Sequence, residues 1–299
     1  MAEIGCATGS APVGPRNLPF VTCRGGYAYH RPMEREAYIE VGGRRQRYLE
    51  AGSGWPLILL HAFPLNADLW RPQLERVPRG WRFLAPDVRG FGPGVPASIS
   101  STMAEMAADV EGFLDAMEID KAVIGGLSMG GYVTMALYAA APSRFTGMVL
   151  ANTRAGADSD EARAARDKMM TLVKREGPPA VADQMMPKLL GATSQRARPQ
   201  LETLVRRLIE SNTAAGIAAA MQAIRDRPDS FATLERSAVP GLVITGEEDA
   251  IIPVSESEAM ARALPRSQLV VLPAAGHLSN IEVPDDFSEA LGNFLRANL

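Results

Sequence analysis

Cysteine is scarce in this chain: Cys6 and Cys23 are the only two among 299 residues. That scarcity excludes a disulfide framework and a cysteine-based zinc site, and it makes a reducing cytoplasmic compartment the expectation. No run approaches the roughly 18 to 20 apolar residues that span a bilayer. Residues 1–15 also lack the basic and apolar regions of an export signal, so no membrane partner is expected. An excess of one charge is missing too. The 31 basic and 34 acidic residues leave a net charge of -3 and are spread along the chain without a basic stripe, which argues against a nucleic-acid partner. Histidine occurs three times, as His30, His61 and His277, which shortens the search for any group that trades protons near neutrality.

What is present is enough apolar residue, 46% of the chain, to bury one large core. Residues 1–34 show neither a period of two nor one of 3.6 and read as a loose, disordered arm. Met33, just before the first regular pattern, is a candidate internal start. Strand patterns follow at 37–41 and 46–51, then an alternation of strands and helices that implies an α/β class with a mostly parallel sheet. Pro56-Leu-Ile-Leu-Leu-His61 and residues 81–87 are continuous apolar runs suited to strands covered on both faces. A helix is expected between them at 67–77.

After Ser101, the residues Met103, Met106, Val110, Phe113, Leu114 and Met117 recur at helical spacing, with Thr102 and Glu105 as a capping box. Strands at 121–127 and 145–151 flank a helix at 129–140. The alternation stops at 154–236, which is helical in pattern, for example at Leu201, Leu204, Val205, Leu208 and Ile209. It resumes with strands at 241–245 and 268–272 and helices at 255–263 and 284–295. The core is therefore expected at 35–153 and 237–299, with a helical insertion between.

The chemistry centres on Gly126-Leu127-Ser128-Met129-Gly130, which lies between a buried-type strand and a helix. An abrupt strand-to-helix turn strains the corner residue and needs almost no side chain two residues to either side, which Gly126 and Gly130 satisfy. Such a turn lifts the Ser128 hydroxyl above the sheet edge and puts the Met129 amide at a helix N-terminus, where an oxyanion is stabilised. A serine needs a base, and among the three histidines His277 sits in a loop after a late strand, where open α/β sheets carry their ligands. His61 ends a buried strand and His30 lies in the arm. A carboxylate must hold the base, and Asp249, in Thr245-Gly-Glu-Glu-Asp249, follows a buried strand; Glu247 and Glu248 compete on the same turn. The second oxyanion donor is expected at the Phe63 amide in His61-Ala62-Phe63-Pro64, since Pro64 has no N–H.

Together these blocks resemble the α/β-hydrolase superfamily, from about residue 37 to the C-terminus. Asp87-Val-Arg-Gly90-Phe-Gly92 is similar to its turn after the fourth strand. Gly126-Leu-Ser-Met-Gly-Gly-Tyr132, Leu150-Ala-Asn-Thr153 and Gly276-His-Leu-Ser-Asn-Ile-Glu282 are most similar to bacterial 3-oxoadipate enol-lactonases and related esterases. Ala62 departs from the usual glycine of the oxyanion loop. The resemblance implies a mostly parallel eight-stranded sheet flanked by helices, an antiparallel start, and a helical cap, or lid, at 154–236.

The chemistry expected is two-step acyl transfer by Ser128, His277 and Asp249 on a small to medium carboxylic ester, needing no metal or organic cofactor. An enol-lactone is the alternative substrate, with Arg154 as the candidate cation for its carboxylate and a solvated, helix-flanking arginine as the plainer reading of that residue. Trp70 is a candidate at the pocket mouth, with a purely structural role as the equal alternative. The methionines Met169, Met170, Met185, Met186 and Met221 read as core filler before pocket lining. Cofactor-free perhydrolase and carbon–carbon hydrolase activities use the same triad, and a ligand receptor on the same fold is the non-enzyme alternative. Oligomeric state leaves no mark on the sequence.

Overall fold

The computed structural model describes residues 21–23, 27–29, 34–93 and 101–298. Strands β1 (Val21–Cys23) and β2 (Tyr27–Tyr29) pair antiparallel in a small ribbon, inside a segment expected to hold no regular element. The remainder of residues 1–33, with His30 and Met33, lies outside the described residues.

The main body begins with β3 (Arg35–Val41), β4 (Arg44–Gly52), β5 (Trp55–Leu60), α1 (Arg71–Leu74) and β6 (Trp81–Pro86). It continues with α2 (Met103–Ala116), β7 (Ala122–Leu127), α3 (Met129–Ala140) and β8 (Phe145–Ala151). Six helices follow: α4 (Asp160–Glu176), α5 (Pro178–Leu189), α6 (Ala192–Ala197), α7 (Gln200–Glu210), α8 (Ala214–Arg225) and α9 (Phe231–Glu235). The chain closes with β9 (Gly241–Gly246), α10 (Val254–Ala263), β10 (Ser267–Leu272), α11 (Ser279–Glu282) and α12 (Pro284–Asn298).

One eight-stranded sheet runs in the order β10-β9-β8-β7-β5-β6-β4-β3. The β3–β4 and β4–β6 pairs are antiparallel, and the rest are parallel. Every residue of β7 and of β9 is buried, as their unbroken apolar character requires of strands covered on both faces. Helix α2 opens with the expected capping box: the Thr102 hydroxyl accepts from the Glu105 amide at 3.1 Å, and the Glu105 carboxylate accepts from the Thr102 amide at 2.8 Å. Its buried stripe, Met103, Met106, Val110, Phe113 and Leu114, packs the helix against α3 and β3.

The helix expected at 67–77 is shorter and divided into a 3-10 turn, Ala67–Trp70, and α1. Pro72 is the reason: it has no N–H for a bond back to Asp68 and is tolerated only in a first turn, so a new helix starts at Arg71.

Helices α4 to α8 form the insertion between β8 and β9, while α9 packs on α3 and α10 of the core. In α7, Leu201, Val205, Leu208 and Ile209 are buried as their spacing predicts. The five methionines singled out above are buried in, or packed against, the hydrophobic core. The insertion is fastened to the core by polar contacts as well as apolar ones. The Gly191 amide donates to the Glu282 carboxylate at 2.8 Å, and the Thr193 amide donates to Glu248 at 2.8 Å.

Candidate active site

Ser128 occupies the corner between β7 and α3 with φ 54° and ψ -110°, a region that a side chain enters only at a cost of about 1–3 kcal/mol. The corner is tight. A Cβ on Gly126 would stand 2.4 Å from the Gly130 carbonyl carbon, and one on Gly130 would stand 2.2 Å from the Leu60 carbonyl oxygen. The Ser128 amide donates to the Ala151 carbonyl at 2.9 Å, and its own carbonyl accepts from Gly131 at 2.9 Å and from the Thr153 hydroxyl at 2.8 Å. The strained residue is thus bolted to the end of β8. Met129 is the first residue of α3, so its N–H has no acceptor within the helix and stays available at the positive end of the helix dipole.

The same end of β8 reaches Asp249 and, through it, His277. Asn152, with φ 45°, donates from Nδ2 to the Asp249 carboxylate at 2.9 Å and to the Gly276 carbonyl at 3.1 Å, while its Oδ1 accepts from the Ser279 hydroxyl at 2.5 Å. His277 Nδ1 lies 2.9 Å from Asp249 Oδ2. A carboxylate only accepts, so Nδ1 carries a proton, and in the neutral tautomer that this bond selects Nε2 keeps its lone pair.

Asp249 Oδ1 also accepts from the Ile251 and Ile252 amides at 2.8 and 2.9 Å. Burial pushes the Asp249 carboxyl up, but the neighbouring imidazole and the hydrogen bonds from His277, Asn152 and Ile252 outweigh it and hold it below its ordinary value. Of the competing carboxylates, Glu247 is exposed and Glu248 is taken by Thr193 of the insertion, while Asp249 is the one bonded to His277. Asn152 was legible only as part of a family-like stretch; its role comes from pairing across strand ends that no local pattern reveals.

The loop after β5 is wholly buried from His61 to Asn66. Among the described residues, the Phe63 amide makes no hydrogen bond to another protein group, and the loop is held by its neighbours. The Ala62 carbonyl accepts from the Leu65 amide at 2.9 Å and from His61 Nδ1 at 3.0 Å. His61 Nε2 accepts from the Val88 amide at 2.9 Å, and Phe91 packs edge-on to both His61 and Phe63. Asp87 accepts from the Ala67 amide at 2.7 Å, so the turn at 87–92 braces the loop from beneath.

His61 is a structural, neutral imidazole, and burial lowers its pKa to about 4. Because the folded state disfavours the proton that the unfolded chain takes up below about 6.5, stability is lost as pH falls through that window, by about 3 kcal/mol down to pH 4. In urea denaturation at pH 7 and pH 4, His61→Gln is expected to lose about 2–3 kcal/mol less than wild type between the two conditions. Equal losses would show that His61 does not carry this term.

Trp70, expected at the pocket mouth, is a core residue. It is fully buried, with its ring 6.1 Å from Phe83 of β6 and 5.8 Å from Phe287 of α12. Arg154 is likewise committed elsewhere: it pairs with Asp158 at 2.5 Å, and Arg166 and Arg227 share that carboxylate at 3.0 and 2.7 Å. Burial pushes Asp158 up, and the Arg166 and Arg227 guanidiniums more than reverse it, so the carboxyl stays ionised.

A family model described as alpha/beta hydrolase fold matches residues 56–284. The chain belongs to the alpha/beta hydrolases. Among solved structures, this hydrolase is similar to a thermophilic esterase from Thermogutta terrifontis, with 37% identity and a TM-score of 0.84 over 88% of this chain and 98% of that one. It is also similar to the enol-lactonase from Burkholderia xenovorans LB400, with 28% identity and a TM-score of 0.80 over 87% of this chain and 100% of that one. A third relative is the dihydrolipoyllysine-residue acetyltransferase component of the acetoin cleaving system of Pseudomonas putida, 31% identical over 86% of this chain and 68% of that protein. No helix among the described residues of the hydrolase is long and apolar enough to cross a membrane.

Proposed function

We propose that this protein is a serine hydrolase that cleaves a small to medium carboxylic ester through an acyl-enzyme. The observation that carries the reading is the common anchorage of the two halves of the site. Ser128 is bonded to Ala151 and Thr153, and the intervening Asn152 holds Asp249, which holds His277. Ser128 Oγ adds to the carbonyl while His277 Nε2 takes its proton, and Asp249 steadies the imidazolium. The Met129 and Phe63 amides receive the oxyanion. His277 then protonates the leaving alcohol, and a water activated by the same Nε2 cleaves the acyl-enzyme. The identity to the Thermogutta terrifontis esterase supports this substrate class. Labelling with a fluorophosphonate, followed by peptide mapping, tests it: the adduct is expected on Ser128, together with multiple turnover of p-nitrophenyl butyrate. Absence of both would overturn the reading.

A second reading, hydrolysis of an enol-lactone, is favoured by the enol-lactonases among the relatives. It does not draw on Arg154, whose guanidinium is engaged with Asp158. Arg154→Ala is therefore expected to leave the ratio of enol-lactone to p-nitrophenyl acetate hydrolysis unchanged within about threefold, since no charge-assisted contact worth about 1.5–3 kcal/mol is being removed from one substrate alone. A selective loss of at least about tenfold on the lactone would restore Arg154 as its carboxylate partner.

A further inference from the structure

Asn212 lies in the turn between α7 and α8 and is buried, with 4% exposure. Its Nδ2 donates to the Leu208 carbonyl of its own insertion at 2.8 Å and to the Pro64 carbonyl at 2.8 Å, with a longer contact of 3.4 Å to the Leu65 carbonyl. Its Oδ1 accepts from the Gly92 amide at 3.1 Å. One side chain of the cap therefore grips the loop after β5 and the turn after β6 together.

What this grip controls follows from the planarity of the peptide bond. The Phe63 N–H shares a rigid peptide plane with the Ala62 carbonyl, so whatever orients that carbonyl orients the N–H. The Ala62 carbonyl is held by the Leu65 amide and by His61 Nδ1. Leu65 is in turn fixed by the contacts of Asn212 to Pro64 and Leu65, while Pro64 itself offers no N–H by which the loop could be held. We infer that Asn212 is a positioning residue for oxyanion stabilisation, setting the aim of the Phe63 amide from the cap. The inference rests on the acyl-enzyme reading above and adds to it a role for the cap in the rate of reaction.

An oxyanion donor that is misaimed rather than deleted forfeits part of a contribution of roughly 10²- to 10³-fold. Asn212→Ala is expected to lower kcat on p-nitrophenyl butyrate by roughly 10- to 100-fold with KM within about threefold. An alkyl trifluoromethyl ketone, which forms an anionic adduct with the serine, is expected to lose affinity by the same factor as kcat/KM. The methyl ketone of the same chain length, which forms no such adduct, is expected to bind as before. Asn212→Asp, which keeps the acceptor for Gly92 but sets a carboxylate against the carbonyls, carries the same expectation should the alanine variant fold poorly. Ser211→Ala removes a separate tether, the 3.1 Å bond from Asn66, and is expected to keep kcat within about twofold.

Unchanged kcat in the folded Asn212 variants, or equal weakening of both ketones, would overturn the inference. Absence of Ser128-dependent turnover in the wild type would instead remove the acyl-enzyme reading on which it stands.

Discussion

Ser128→Ala is expected to lower kcat/KM for p-nitrophenyl butyrate by at least about 10⁴-fold while the protein stays folded. The size follows from the chemistry. The neighbouring Thr153 hydroxyl is spent on the Ser128 carbonyl, so on the proposed mechanism the substitution removes the nucleophile and leaves binding and the two amides to act on water. The backbone supplies a second readout. Ser128 holds φ 54°, where glycine is at ease and alanine is not. Elsewhere glycine costs roughly 0.5–1 kcal/mol relative to alanine; here Ser128→Gly is expected to be at least as stable as Ser128→Ala by urea denaturation, and equally inactive. A loss of activity under tenfold in either variant would remove Ser128 as the nucleophile.

Asp249→Asn is expected to cost roughly 10⁴-fold in kcat. The asparagine amide cannot serve all of the donors that now converge on the carboxylate. One oxygen takes the Ile251 and Ile252 amides, and the other takes Asn152 Nδ2 and His277 Nδ1. Whichever way the new amide turns, its NH₂ meets donors. The His277 ring responds by keeping its proton on Nε2, and in that tautomer it cannot accept one from Ser128. Steady-state kinetics give the first check, and ¹⁵N NMR of the imidazole gives the second, reporting the change from an Nδ1–H to an Nε2–H ring. An unchanged tautomer together with a loss under tenfold would show that Asp249 does not govern the base.

The parts of the site that were legible in the sequence are those in which local geometry dictates residue type. Gly126 is required by its close approach to Gly130 within the turn, although Gly130 in turn meets Leu60 of β5, which only the fold brings near, and Pro64 narrows the donor to Phe63 through its own missing N–H. Asp249 and His277 could be placed because each follows a strand whose apolar run is self-evident. The surroundings of Trp70 and Arg154 were not legible, for the converse reason. A tryptophan in a short helical turn reveals its bulk but not which layer covers it, and Phe287 lies more than two hundred positions away. The pairing of Arg154 depends on how α4 and α8 bring Arg166 and Arg227 around Asp158. Asn212 and Glu282 act through backbone groups of distant loops, which have no signature in sequence, and Asn152 reaches side chains about 100 positions away that only strand pairing brings near. The fold was read with smaller errors: helix α3 and strand β8 have the expected limits, while Pro72 divided the helix expected at 67–77.

The attachment of the insertion bears on how such enzymes diversify. Its polar fastenings fall on the three segments that bear the candidate site residues: Asn212 on the loop bearing Phe63, Thr193 through Glu248 on the loop bearing Asp249, and Gly191 on Glu282, which follows His277. Exchanging residues 154–236 for the corresponding segment of a relative, in the hope of importing a new selectivity, would also import a different set of fastenings. Such a chimera keeps its turnover only if the graft brings equivalents of Asn212, Gly191 and Thr193 to the same three anchor points.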